Sequence, residues 1–151
     1  MVSLEEGISL EHLTELYADP FVARIADDDS PFEPVSHPLA AYLSAYVNGA
    51  FVGAYLVIRF SEREYEAHSL LMRAATRYSR ALGELLIEWV FSHPNVMRLT
   101  GYIRQDIMTA VNHCLRMGFG YEGFRRKALM VNGEPMGIHV LGLTREEWCN
   151  S

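Results

Sequence analysis

Arg77-Tyr78-Ser79-Arg80-Ala81-Leu82-Gly83-Glu84-Leu85-Leu86 is the stretch that decides how this chain folds. Two arginines and small residues lead directly into an apolar run, with apolar side chains at 82, 85, 86, 89 and 90. That spacing predicts a core-facing helix over 82–91. The segment before it, 65–72, reads as a strand. Strand, small-residue turn and helix N-terminus together aim backbone N–H groups and a positive dipole end at one anionic group. The stretch therefore points to a phosphate-bearing ligand.

Working outward, two Asn-Gly pairs mark hairpins. Asn48-Gly49 separates 39–47 from 50–60, and Asn132-Gly133 separates 124–131 from 136–143. All four flanking segments have strand-like character, and Asn-Gly suits a type I′ turn because both residues tolerate positive φ. Residues 10–17 read as a short helix capped by Ser9, with Leu10, Leu13, Leu16 and Tyr17 on its inner face. Asp19-Pro20 ends it, and 21–26 follows as a second short helix. Val96 to Ile103 reads as a strand. Asp106 can cap a helix running to Met117 with Ala110, Val111, Cys114 and Leu115 inward, and Gly118 suits its left-handed C-terminal position. The expected order is helix, three strands, helix, strand, helix, two strands. It describes one domain over 1–151 with a mixed α/β (α+β) sheet and helices on its faces. The connection through helix 82–91 is long enough for a parallel crossover, so a ligand site is expected where strand direction changes.

Composition narrows the function. A chain of 151 residues, half hydrophobic and 21% charged, can bury a real core and is not disordered. A net charge of -6 disfavours a nucleic-acid binder, which needs clustered cations for phosphate. No apolar run approaches ~18 residues, so no membrane span is expected. The N-terminus lacks a signal-peptide pattern. Cys114 and Cys149 form no CxxC or Cys/His cluster, which argues against a metal. A reduced, cytoplasmic protein is the expectation.

The turn at 77–83 and the helix end Leu115-Arg116-Met117-Gly118-Phe119 together resemble the GNAT acyl-CoA N-acyltransferase superfamily. The resemblance covers about 39–148. It implies a mostly antiparallel sheet with one parallel, splayed strand pair, and acetyl-CoA as acyl donor. The family turn has Gln or Arg, two residues, Gly, one residue, then Gly or Ala. Here these positions are Tyr78, Ser79-Arg80, Ala81, Leu82 and Gly83, with Arg73, Arg77 and Arg80 adding positive potential. The end of the preceding strand, Leu71, Met72 and Arg73, is where the family supplies backbone hydrogen bonds to the pantetheine arm. The segment 121–148 looks most like the ribosomal-protein N-terminal acetyltransferase-like branch, and the departures at Tyr78, Ile107 and Cys114 resemble phage-encoded relatives with eroded motifs. In this family the terminal hairpin can mediate a homodimer.

An alkylammonium cannot attack a thioester until it loses a proton, so the reaction needs a base. Alternation places Glu64, Glu66, His68, Leu70 and Met72 on one strand face. His68 has the right titration range, and Glu66 shares its face. Many family members carry a Tyr as general acid four residues before the helix-ending Gly; here that residue is Cys114, which can donate a proton or simply fill the core. The acceptor would be a small-molecule or peptide amine. The pocket is expected among Asp27, Asp28, Asp29, Phe32, Glu33, His37 and Tyr121, where the acids suit a cation. His113 and His139 have no ligand partner nearby in sequence. The alternative is a catalytically eroded GNAT-fold protein with a structural or partner-binding role. A phosphate binder of another class ranks last, for lack of a Walker sequence or GxGxxG.

Overall fold

A computed structural model describes residues 1–26 and 28–151, with only the backbone of Ala26. Asp27, one of the expected acceptor residues, lies outside the described residues. The element order is β1 (Val2–Glu6), α1 (Leu10–Ala18), α2 (Pro20–Ala26), β2 (Ala40–Val47), β3 (Ala50–Arg59), β4 (Glu64–Leu71), a 3-10 helix (Arg73–Tyr78), α3 (Ser79–Phe91), β5 (Arg98–Arg104), α4 (Met108–Arg116), β6 (Gly120–Val131), β7 (Glu134–Thr144) and α5 (Arg145–Cys149). The seven strands form one sheet in the order β1-β2-β3-β4-β5-β7-β6. Every neighbouring pair is antiparallel except β4–β5, which is parallel. Both Asn-Gly turns form as the sequence demands, with Asn48, Gly49, Asn132 and Gly133 all at positive φ.

Two apolar layers flank the sheet. Leu82, Leu86, Ile87 and Val90 of α3, with Val111 of α4, pack on one face against Leu43, Val57, Tyr65 and Leu99. Leu16 and Val22, from α1 and α2, pack on the other against Ala54, Leu56, Leu70 and Met72. The strand alternation expected for 64–72 is therefore realised, with Leu70 and Met72 facing α1 and α2 and Tyr65 facing α3.

The elements correct several local expectations. Strand β1 was not expected; it pairs its whole length with β2. Leu10 is 79% exposed and Leu115 is 43% exposed, so neither faces the core. Asp106 does not cap α4: its carboxylate accepts from Arg104 Nε at 2.7 Å, and Ile107 occupies the cap position without a side-chain bond. Asp19 instead caps α2, accepting from the Val22 N–H at 3.0 Å with Pro20 at the first helical position. Gly118 takes φ +102, as the end of α4 requires.

Candidate active site

Strands β4 and β5 pair only from Glu64↔Arg98 to Ala67↔Gly101. Beyond that point both continue, to Leu71 and Arg104, without pairing to each other. The edge of β4 over 68–71 that faces β5 thus has no strand partner, and unpaired strand backbone is a template for hydrogen bonding to something else. Its other edge stays fixed. Gly53 pairs with Leu71, and the Met72 N–H donates to Val52 O at 2.9 Å. A bulge in β3 at this level brings Gly53 so close that a Cβ there would lie 2.5 Å from Leu70 O.

A cavity of about 530 Å³ runs through the gap. It is lined on the α1/α2 side by Tyr17, Phe32, Leu56, His68 and Leu70, and on the α3/α4 side by Ser79, Gly83, Leu86, His113, Cys114 and Met117. One space therefore reaches both faces of the sheet, and the splay of β4 from β5 is its throat.

His68 lies in the throat, paired with Leu56 across the β3–β4 ladder. Its Nε2 is 3.7 Å from Glu66 Oε2. Burial holds the imidazole below its ordinary pKa, and the Glu66 carboxylate pulls the other way. The ring is thus neutral, with a free lone pair, at neutral pH. Tyr102 shares this face; burial, then the charges of Glu66 and Glu64, raise its phenol. Arg104 also lines this side.

Cys114 is on the opposite side of the throat, where burial pushes its thiol up to about 11. Beside it is Tyr55, which the sequence reading missed. Tyr55 is only 5% exposed yet lines the cavity, and its phenol is raised well above the ordinary value by burial and then by Cys114. Among the described residues its hydroxyl has no hydrogen-bond partner, and no fully buried side-chain oxygen lacks one, so this hydroxyl opens on the cavity. The β-hairpin pattern could have placed Tyr55 on this face, but only the three-dimensional register sets it beside α4.

The turn divides into parts with different surroundings. Residues 73–78 form a 3-10 helix, and the Ser79 N–H closes on Thr76 O. The first turn of α3 follows, with N–H groups that have no partner inside the helix. Ser79 and Gly83 line the cavity, while Arg77, Arg80 and Ala81 are exposed beside it. Arg80 pairs with Glu84 at 3.2 Å, and Arg73 lies over the Phe21 ring, 4.8 Å from its centroid. Leu82 and Met72 are core residues, and Tyr78 packs against the core. Gly83 is a packing glycine: a Cβ would meet Met117 Cε at 2.6 Å, and His113 Nε2 lies 3.8 Å away. Burial, then the charges of Arg116 and Arg80, lower the pKa of His113, so a cationic cluster gathers at this mouth. His113 thus borders the cavity, which the sequence did not suggest. Its sequence companion His139 is structural, held between Tyr121 OH at 2.8 Å and Gln105 O at 3.1 Å.

The acidic loop after α2 is largely structural. Asp29 Oδ1 and Oδ2 accept from the Asn132 and Gly133 N–H groups, at 2.8 and 2.9 Å, and the Asp28 carboxylate accepts from Ser30 N–H. The loop is thereby tied to the β6–β7 hairpin and roofs the cavity with Phe32. Of the expected acceptor residues Phe32 and Glu33 line the cavity, whereas His37 and Tyr121 do not.

This architecture, a sheet opened between one parallel strand pair, is the GNAT fold. Spermidine N-acetyltransferase from Vibrio cholerae, solved with CoA and spermine, superposes with a TM-score of 0.83 at 13% identity, over 99% of this chain and 98% of that one. A protein from Chromobacterium violaceum described as a probable acetyltransferase of the GNAT family superposes with a TM-score of 0.82 at 20% identity, over 98% of this chain and 90% of that one. No curated protein sequence matches. The chain belongs to the family described as "Protein of unknown function (DUF2824)", whose model matches residues 10–151. Among the described residues no helix is long and apolar enough to cross a membrane, and no group of His, Cys, Asp and Glu could hold a metal.

Proposed function

We propose that the protein is an N-acetyltransferase that moves an acetyl group from acetyl-CoA to a primary amine. The observation that carries this reading is the single cavity through the β4–β5 gap, with a base on one side and a hydrogen-bond donor on the other. A direct transfer needs two substrates brought end to end from opposite faces, and the gap supplies that alignment. The likeness of 121–148 to the ribosomal-protein N-terminal acetyltransferase-like branch supports the same chemistry.

The residues present fit coenzyme A. The first turn of α3 offers N–H groups, and Arg77 and Arg80, with Arg116 beside the neutral His113, offer positive charge to a pyrophosphate. The open backbone edge at 68–71 offers partners to the pantetheine amides. Bound acetyl-CoA supplies an activated thioester carbonyl. His68 takes the proton from the attacking amine, and Glu66 orients and partly balances the imidazolium. The new C–N bond forms as the C–S bond breaks. Tyr55 donates a hydrogen bond on the leaving-group side; its raised pKa keeps it protonated, so the sulfur takes its proton from solvent. Cys114 is a small neighbour of Tyr55. The test is release of free thiol from acetyl-CoA with a panel of primary amines, followed spectrophotometrically. Amine-dependent thiol release that stops in His68→Gln supports the reading, and none with any amine sinks it.

A further inference from the structure

The wall on the amine side is chemically one-sided. Ile25 of α2, Phe32 of the following loop, Leu56 and Ile58 of β3, Leu129 of β6 and Ile138 of β7 converge on it from five parts of the fold. The polar groups among them are mostly committed already. The Tyr17 hydroxyl is 2.8 Å from the Tyr42 hydroxyl, and Arg104 is paired with Asp106. Among the described lining residues Glu33 is the only carboxylate, and it is exposed. Asp29 accepts with both oxygens from the Asn132 and Gly133 N–H groups of the β6–β7 turn, and Asp28 Oδ1 accepts from the Ser30 N–H.

A polyamine brings two or more ammonium groups, and each one taken from water needs an opposing charge. Beyond Glu66 beside the base and the exposed Glu33, the described lining residues offer no carboxylate to a second ammonium. An amine with one nitrogen at the throat and a hydrocarbon body needs only the base and an apolar surround. We infer that the acceptor is a small monoamine carried on an aromatic or branched aliphatic body, and not a polyamine. The inference rests on the acyl-transfer reading above for the position of the nitrogen, and on the lining residues alone for the body.

Calorimetric titration tests it, with 2-phenylethylamine, isoamylamine, spermidine and an alanine-initiated tripeptide added to the protein, both alone and saturated with CoA. The monoamines should bind at least ten-fold tighter than spermidine or the tripeptide. Ile138→Asp and, separately, Leu129→Asp should weaken 2-phenylethylamine about ten-fold and narrow its margin over spermidine, with retained CoA binding reporting an intact fold. Equal or tighter binding of spermidine or the tripeptide overturns the inference, as does the absence of any amine binding. If CoA fails to bind while the amine order holds, the acyl-transfer reading falls and the apolar pocket stands.

Discussion

At single residues, the chemistry divides between His68 and Tyr55 on opposite sides of the throat. His68→Gln is expected to lower kcat/KM by about 10²-fold or more with acetyl-CoA affinity unchanged, because a base acts on the amine and not on the donor. The direction of its pKa shift fixes the pH dependence. A base held below its ordinary value of about 6.5 stays active at lower pH, so the acid limb of kcat/KM should lie below that value. A limb at or above it would exclude His68 as the base. Tyr55→Phe removes one donor from the cavity wall and should cost about ten-fold or more in kcat, with little effect on binding. Cys114→Ala should change kcat less than three-fold; a larger loss would give the thiol the donor role instead. His68 was legible in the sequence because alternation along one strand gives its face directly. Tyr55 was not, since its meaning depends on the opposition of β3 and α4 across the core, which no local pattern states.

Among the elements, the opening of β4 from β5 depends on what holds β4 from its other side. Gly53 does this at φ +128, with backbone of Leu70 and Leu71 where a side chain would go. Gly53→Ala should destabilise by roughly 2–3 kcal/mol in urea unfolding and weaken acetyl-CoA binding, since the end of β4 must shift. An unchanged unfolding midpoint would mean that the bulge does not set the gap. The hairpins and α3 were legible from the sequence because Asn-Gly turns and a 3.6-residue apolar period are local signals. Strand β1 was not, as Val2–Glu6 is short and ends in two glutamates, and only the long ladder with β2 makes it a strand. The cap of α4 failed for a related reason: Asp106 has the right chemistry for an N-cap, but Arg104, two residues away on the end of β5, takes its carboxylate. The place of Asp29 was hidden for a similar reason, because its carboxylate meets the backbone of a hairpin about a hundred residues distant.

Taken whole, the molecule holds two half-buried, neutral histidines in or beside its cavity, and this couples stability to pH. His68 and His113 are both held below their ordinary pKa chiefly by burial. The unfolded chain therefore binds more protons than the folded one as pH falls through about 6.5. Their contribution to stability is complete above that value and is lost below it. Tm should accordingly be lower at pH 5.5 than at pH 8, and the difference should shrink in the His68→Gln, His113→Gln double variant. The throat between β4 and β5 and the first turn of α3 should together bind acetyl-CoA. Calorimetric titration with acetyl-CoA, using 3′-dephospho-CoA and ATP for comparison, tests it most directly. Saturable binding of one acetyl-CoA per chain is expected, selective over ATP, and lost in Gly83→Glu, where the new side chain must displace Met117 and enter the cavity. No binding at millimolar acetyl-CoA, or binding indifferent to Gly83→Glu, would contradict it.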